Sequence, residues 1–562
     1  MRGIARARFL ALSVAAAGAA GTAACAPLSV PPPAPQTIPS HPVRSGPLTR
    51  PERTNFLETS TYQDVIAFVD SLKMGGSPFA FGSIGKTTEG RDIPYLIASH
   101  PVVTTPAEAK ALHRPIVYVQ GNIHAGEIEG KDALLALVRD LLSSSRRPNV
   151  LDSIVLIAVP IYNADGNERF APQSVNRADQ NGPEMVGQRA NAQGLDLNRD
   201  YIKAEAPETR ASLAMFNAWD PDVFVDLHTT DGSYHGYNLT YAPSLNPAAQ
   251  FGGVYARDSL LPVLRERMLT RRAARTFDYG DFISEDTLSK GWVTFDSRPR
   301  FGTNYYGLRG RIAILSEAFS HDPLQLRIAT TYHFVAEILS VVAEHAPSVM
   351  ALSARADEQQ RSWARSPDSV QLVPVRSELI ANPPSEEVRA EVLERTDSAS
   401  AEPGVRKGFR RTGKYATVRM PLFVRFTPTL ERVPPVAYAL PASDTAIASM
   451  LRLHGLTVET LDADLSGIVE SFLVDSVGTS PRAFQGHRET RLKGTWVRQR
   501  QTVPAGTIVV RPAQPRGVLA VYMLEPESDD GLVDWNFFDA EVARGKTFPV
   551  VRLIDSLRPA TH

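Results

Sequence analysis

The 562-residue chain has a single cysteine, Cys25. That excludes an internal disulfide and the cysteine-pair zinc sites. Net charge is just as scarce. Sixty Lys and Arg face 61 Asp and Glu, a formal charge of −1, so the overall balance gives no basic footprint for nucleic acid. Beyond the N-terminal segment no apolar run suggests a membrane span, and no repeat relates the two halves of the chain. With 43% hydrophobic and 22% charged residues, the composition is that of a globular protein. Its length exceeds one ordinary core, which predicts two domains.

The N-terminus carries the features of an export signal. Arg2, Arg6 and Arg8 precede an apolar stretch from Phe9 to Ala20 and then small residues, a run shorter than a typical membrane-spanning helix. Residues 1–24 are expected to be removed. "TAAC" resembles a bacterial lipobox, with Thr22 where leucine is usual, and points to lipidation of Cys25. Ordinary signal cleavage beside an incidental cysteine is the alternative. A Pro-rich stretch follows, and residues 25–54 are expected to form an extended tether.

Folded structure is expected from Asn55. Apolar positions at helical spacing predict helices over 62–74, 129–144, 206–219 and 327–345. Continuous apolar runs predict strands in "PIVYVQG", "DSIVLIAVPIYN", "DVFVDLHTT" and "RIAILSEA". Apolar strands alternating with amphipathic helices imply an α/β fold whose sheet is covered on both faces. Its chemistry would gather at the carboxyl ends of the strands. A polar stretch over 348–385 predicts a linker. Residues 386–562 would form a smaller α/β or α+β domain, with strand, helix and strand over 436–461, a strand near 505–511 and a helix opening at Gly517 after Pro515.

Three residues carry the strongest chemical signal. His124 and Glu127 are two residues apart where "PIVYVQG" ends, and His228 closes "DVFVDLH". Two imidazoles and one carboxylate form a common catalytic zinc set with a fourth position left open. Taken singly they also fit a helix-start glutamate, a surface histidine and a core histidine. Glu129 fits a solvated first-turn carboxylate better than a ligand. Glu317 ends the apolar "RIAILSEA", where a carboxylate is costly unless paired or working. It fits a general base, or a salt bridge to Arg309 or Arg311. Those two arginines also fit recognition of acidic side chains, or structural ion pairs. In "GLDLNRDY", Asn198 and Arg199 suit a carboxylate, and Asp196 suits a partner for a ligand histidine. A polar loop explains the same residues.

In this order the motifs resemble the zinc carboxypeptidase family. "TTEGRDIPYLIAS" is similar to its opening strand, "NIHAGE" to its ligand pair and "YNADGNE" to its NPDG turn, with Ala164 for proline. "LDLNRD", "VDLHTT" and "ILSEA" are similar to its Asp-x-Asn-Arg element, third-ligand strand and base-bearing strand. The resemblance spans about residues 55–347 and implies a mixed central sheet flanked by helices. It implies one zinc ion per chain on His124, Glu127 and His228, with Glu317 as general base and then general acid. It further implies Asp196 orienting His124, Asn198 and Arg199 gripping a peptide's free C-terminal carboxylate, and Arg189 facing the oxyanion. Tyr305 or Tyr306 would cover the substrate. The expected activity is hydrolysis of C-terminal peptide bonds in the cell envelope. The alternatives are a zinc amidohydrolase acting on N-acyl amino acids or peptidoglycan peptides, and a non-catalytic surface binding lipoprotein.

Overall fold

The computed structural model describes residues 46–555 apart from Ser77, 146–147, 364–370, 397–404 and 406–407, together with 558–559. The expected signal, Cys25 and most of the tether lie outside the described residues.

Eight strands make the central mixed sheet: β1 Ala80–Lys86, β2 Asp92–Ala98, β3 Ile116–Gly121, β4 Val155–Val159, β5 Val223–Thr229, β6 Leu239–Pro243, β7 Thr276–Asp278 and β8 Ile312–Ala318. Their order is β1-β2-β4-β3-β5-β8-β6-β7. The four middle strands β4, β3, β5 and β8 run parallel. The outer pairs β1–β2, β2–β4 and β8–β6 are antiparallel. The parallel strands are buried along their whole length, which is why they appear in the sequence as unbroken apolar runs.

Helices cover both faces. Helix Glu129–Ser143 lays Leu134, Leu135 and Val138 into one apolar cluster with Val117, Val119 and Val225, each such side chain worth about 1.5–3 kcal/mol when fully buried. Helix Leu324–Glu344 is long and apolar enough to cross a membrane, contrary to the sequence reading. Its apolarity has a different cause, since 78% of its most apolar window is buried inside the fold.

Two further expectations change. Order begins before Asn55: Thr49 caps the helical turn Arg50–Arg53 in a capping box with Glu52, and Glu52 pairs with the buried Arg139 at 2.7 Å. The segment expected to be a linker is helical over Ala346–Ser362 and enters a strand at Val373. That helix buries Val349, Ser353, Ala356 and Gln360, a narrow stripe that its polar composition hides.

The rest of the chain is dominated by two long hairpins: β9 Val373–Arg395 with β10 Phe409–Arg432, and β11 Leu465–Thr479 with β12 Thr490–Val503. The second hairpin belongs to a seven-stranded sheet with Ala437–Leu440 and Ile508–Val510. Residues 38–562 form one compact unit. Tyr438, Leu440, Leu451, Leu519 and Tyr522 share an apolar cluster with Phe216, Phe224, Tyr305 and Tyr306 of the first half.

Candidate active site

The ligand turn follows directly from β3. Asn122 takes a left-handed φ of 66° and donates from its side-chain amide to the Ala125 carbonyl at 3.1 Å. The backbone therefore folds back over the sheet end, where Glu127 N–H donates to the His124 carbonyl at 3.0 Å. Gly126 has no room for a side chain, because a Cβ there would lie 2.6 Å from Arg177 Cγ. The neighbouring parallel strands deliver the rest, with His228 on β5 directly opposite Glu317 on β8.

One oxygen or nitrogen from each of His124, Glu127 and His228 lies within 4.8 Å of the others. His124 Nδ1 is 3.0 Å from Glu127 Oε1, and His228 Nδ1 is 2.9 Å from Glu127 Oε2. Each Nε2 faces a second carboxylate: Asp196 Oδ1 at 2.9 Å from His124, and Asp226 Oδ2 at 3.1 Å from His228. At His124, an Nε2–H donated to Asp196 leaves the Nδ1 lone pair facing the Glu127 carboxylate, an arrangement that a cation between them would relieve. His228 Nε2 lies beside Asp226 without forming a hydrogen bond among the described residues. Burial alone would lower the His228 pKa, but Asp226 and Glu127 raise it well above the ordinary value. The field that favours a positive charge there also favours a metal. Burial would raise the Glu127 carboxyl, yet His124 and Arg177 hold it well below the usual range. The donor set, its closeness and its outer carboxylates fit zinc.

Across the cleft, burial pushes Glu317 well above the ordinary carboxyl range, and Glu127 and Asp231 push the same way against His228. Its Oε2 has no hydrogen-bond partner among the described residues. Arg189 donates from Nε to Asp196 Oδ2 at 2.9 Å and lies 3.4 Å from Glu127. Asn198 Oδ1 accepts from Gly302 N–H at 2.9 Å. Arg199 lies 3.9 Å over the Phe301 ring, donates from Nη1 to the Asn198 carbonyl at 2.8 Å and has no carboxylate ion pair among the described residues. Its burial lowers its pKa. His124, Glu127, Arg189, Asn198, Arg199, His228 and Glu317 all line one cleft.

The two tyrosines do not. Helix Gly302–Leu308 turns both into the core, fully buried. Tyr305 OH bonds His454 Nδ1 at 2.7 Å, and Tyr306 OH meets Ser212 Oγ at 3.1 Å. The family resemblance placed one of them over the substrate, but the helix Gly302–Leu308 between Phe301 and β8 turns both away from the cleft. The tyrosine on the cleft wall is Tyr279, beside Phe295 and Phe301. Glu129 is fully buried, bonded to Thr229 Oγ1 and paired with Arg327 at 3.1 Å; it is neither a ligand nor solvated. Arg311 pairs with Asp220 and Asp357, and Arg309 bonds Asn217, so neither reaches Glu317. The sequence reading also missed Arg177, which holds Glu127 at 3.2 Å and Asp231 at 3.1 Å. Asp226 stands two residues before His228, on the same strand face, a signal that could have found it.

The zinc carboxypeptidase family model matches residues 67–250, a span that contains His124, Glu127 and His228. This chain carries a zinc carboxypeptidase domain. Carboxypeptidase 2 of Trichophyton equinum is 23% identical over 497 residues, covering 83% of this chain and 81% of its own. Carboxypeptidase 2 of Trichophyton rubrum is 24% identical over 518 residues, covering 86% and 85%. Alignments of that length run well past the zinc carboxypeptidase domain into the hairpin region. A solved metallo-carboxypeptidase from Pseudomonas aeruginosa is 18% identical, with a TM-score of 0.38 over 52% of this chain and 70% of that one. The fold is mixed α/β, and the enzyme class is zinc metallocarboxypeptidase.

Proposed function

We propose that the protein removes the C-terminal residue of peptides, using one zinc ion held by His124, Glu127 and His228. The observation that carries this reading is the composition of the cleft: a three-donor cation site, a partnerless carboxylate oxygen on Glu317 and an unpaired Arg199 on the same wall. The half-buried Arg199 guanidinium donates to the Asn198 backbone carbonyl and pairs with no carboxylate among the described residues, which leaves its fork for a substrate carboxylate. Asn198 and Arg199 hold that carboxylate, so that the last peptide bond lies beside the metal donors. When bound, zinc polarises the scissile carbonyl and makes water a nucleophile at neutral pH. Glu317 takes the attacking water's proton on Oε2 and passes it to the leaving amine. Arg189 faces the charge that develops on the carbonyl oxygen, and Asp196 keeps His124 turned so that Nδ1 faces inward. Tyr279, Phe295 and Phe301 screen the cleft from water.

The discriminating experiment digests a peptide library, as free acids and as C-terminal amides, with and without a chelator, and reads the products by mass spectrometry. Loss of single C-terminal residues from free acids, abolished by the chelator, is expected. Equal cleavage of amides, internal cuts, or turnover of N-acyl amino acids in place of peptides would overturn the reading. From the N-terminal residues we also propose export to the cell envelope with a lipid on Cys25 as the only membrane attachment. Cys25→Ala is then expected to leave the membrane fraction, and unchanged fractionation would refute the anchor.

A further inference from the structure

The turn joining β11 and β12 reaches the metal site from far along the chain. Phe484 and His487 exchange backbone hydrogen bonds at 2.7 and 3.0 Å around Gln485 and Gly486, both with positive φ, 51° and 84°. That is the signature of a type I′ hairpin turn. Its first central position favours Asn, Asp or Gly, and glutamine is a costly choice there. The side chain supplies a reason. Gln485 Oε1 accepts from the backbone N–H of Asp196 at 2.8 Å.

Asp196 needs that acceptor. It caps the short helical turn Leu197–Arg199 with its side chain, so its own N–H has no partner within that turn. A buried N–H left unpaired costs free energy. The Asp196 carboxylate meanwhile holds His124 Nε2 and the Asn198 amide on Oδ1 and Arg189 on Oδ2. Fixing the Asp196 backbone therefore fixes the group that aims a metal-donor histidine.

The turn is itself anchored on both sides. His487 bonds Glu205 at 2.9 Å and Asn536 at 3.0 Å. Glu489, just beyond it, pairs with the buried Arg300 at 2.8 Å. Arg300 lies 5.2 Å from the Phe484 ring and is bonded to Asp530. We propose that Gln485 is a positioning residue of the metal centre: the hairpin turn spans from the second half of the chain to hold Asp196, and through it His124, in the geometry that binds zinc. The proposal rests on the zinc-site reading above.

The test measures zinc affinity by chelator competition, and the melting temperature of the zinc-free protein, for wild type, Gln485→Asn, Gln485→Met and Gln485→Glu. Asparagine suits the left-handed backbone better but is one methylene too short to reach Asp196. Methionine keeps the length and loses the acceptor, while glutamate keeps both reach and acceptor. Outer-shell partners of metal ligands are typically worth 10–100-fold in metal affinity. One link further out, we expect on the order of tenfold weaker zinc binding in the asparagine and methionine variants. The glutamate variant is expected within about threefold of wild type. The zinc-free melting temperature of Gln485→Asn is expected to equal or exceed that of wild type. Zinc affinity within twofold of wild type in both Gln485→Asn and Gln485→Met would overturn the proposal. So would a loss that merely follows a fall in zinc-free melting temperature. A wild-type protein that binds no zinc would instead refute the proposed function, and the two failures are separate.

Discussion

His454 should make the protein's stability depend on pH in a way that one substitution removes. The imidazole is fully buried between the two halves of the chain. It accepts from Tyr305 OH at Nδ1, 2.7 Å away, and donates from Nε2 to the Ile202 carbonyl at 3.0 Å. The acceptor role at Nδ1 requires the neutral ring, whereas the Nε2–H donor is present in either charge state. Burial, with help from Arg309 and Arg210, pushes its pKa down to about 3, against about 6.5 in an unfolded chain. Between those values the unfolded state binds the extra proton. Stability from this group is therefore full above pH 6.5, falls as pH drops below it, and stops falling near pH 3. By linkage the loss at pH 4.5 is about 3 kcal/mol. His454→Gln keeps a donor toward Ile202 but cannot titrate. It should cost about 1–3 kcal/mol at pH 7 through the orphaned Tyr305 hydroxyl and recover most of that difference at pH 4.5. Denaturant unfolding of both proteins at pH 7, 6, 5 and 4.5 reads the change directly. His235, pushed to about 3 by its own burial, titrates in both and cancels. A wild-type minus variant difference that is constant with pH would refute the neutral, depressed imidazole.

Three further outcomes test the cleft. Glu317→Gln should retain zinc and turn over at least about a hundredfold more slowly, the lower end for a general base. Because burial holds the carboxyl up, wild-type kcat/KM should fall as pH drops through its pKa, and a near-normal rate in the variant would make the carboxylate structural. Arg199→Lys keeps the charge but loses the fork, so KM for free-acid peptides should rise at least about tenfold; unchanged KM would remove Arg199 as the anchor. Tyr305→Phe should lower stability by about 1 kcal/mol while leaving kcat/KM within twofold, and a larger catalytic loss would return Tyr305 to the cleft.

The central sheet was legible because β3, β4, β5 and β8 are buried on both faces, so burial alone dictates their residues. The candidate donor cluster was legible because one turn supplies two of its members and a strand end supplies the third. Tyr305 and Tyr306 were misplaced because distance along the chain carries no direction until the helix at Gly302–Leu308 is known. Arg177 belongs to no local pattern: Gly126 makes room for it only after the chain has folded. The long hairpins escaped notice for another reason. β10 alternates exposed and half-buried positions with few buried ones, so its sequence is too polar to signal a strand. Gln485 was invisible in the same way, since nothing in "AFQGHR" points to a residue 289 positions earlier.

The apolar cluster that Phe216 and Tyr305 share with Tyr438, Leu519 and Tyr522 also sets the timing of the enzyme's birth. A ribosome adds roughly 5–20 residues each second. The three candidate metal donors are therefore synthesised roughly 15–60 seconds before Leu519 and Tyr522, which complete the cluster. Through that interval the nascent chain carries the chemical groups of a peptidase on an unfinished core. The core against which Tyr305 packs is therefore closed only once the second half of the chain has been made.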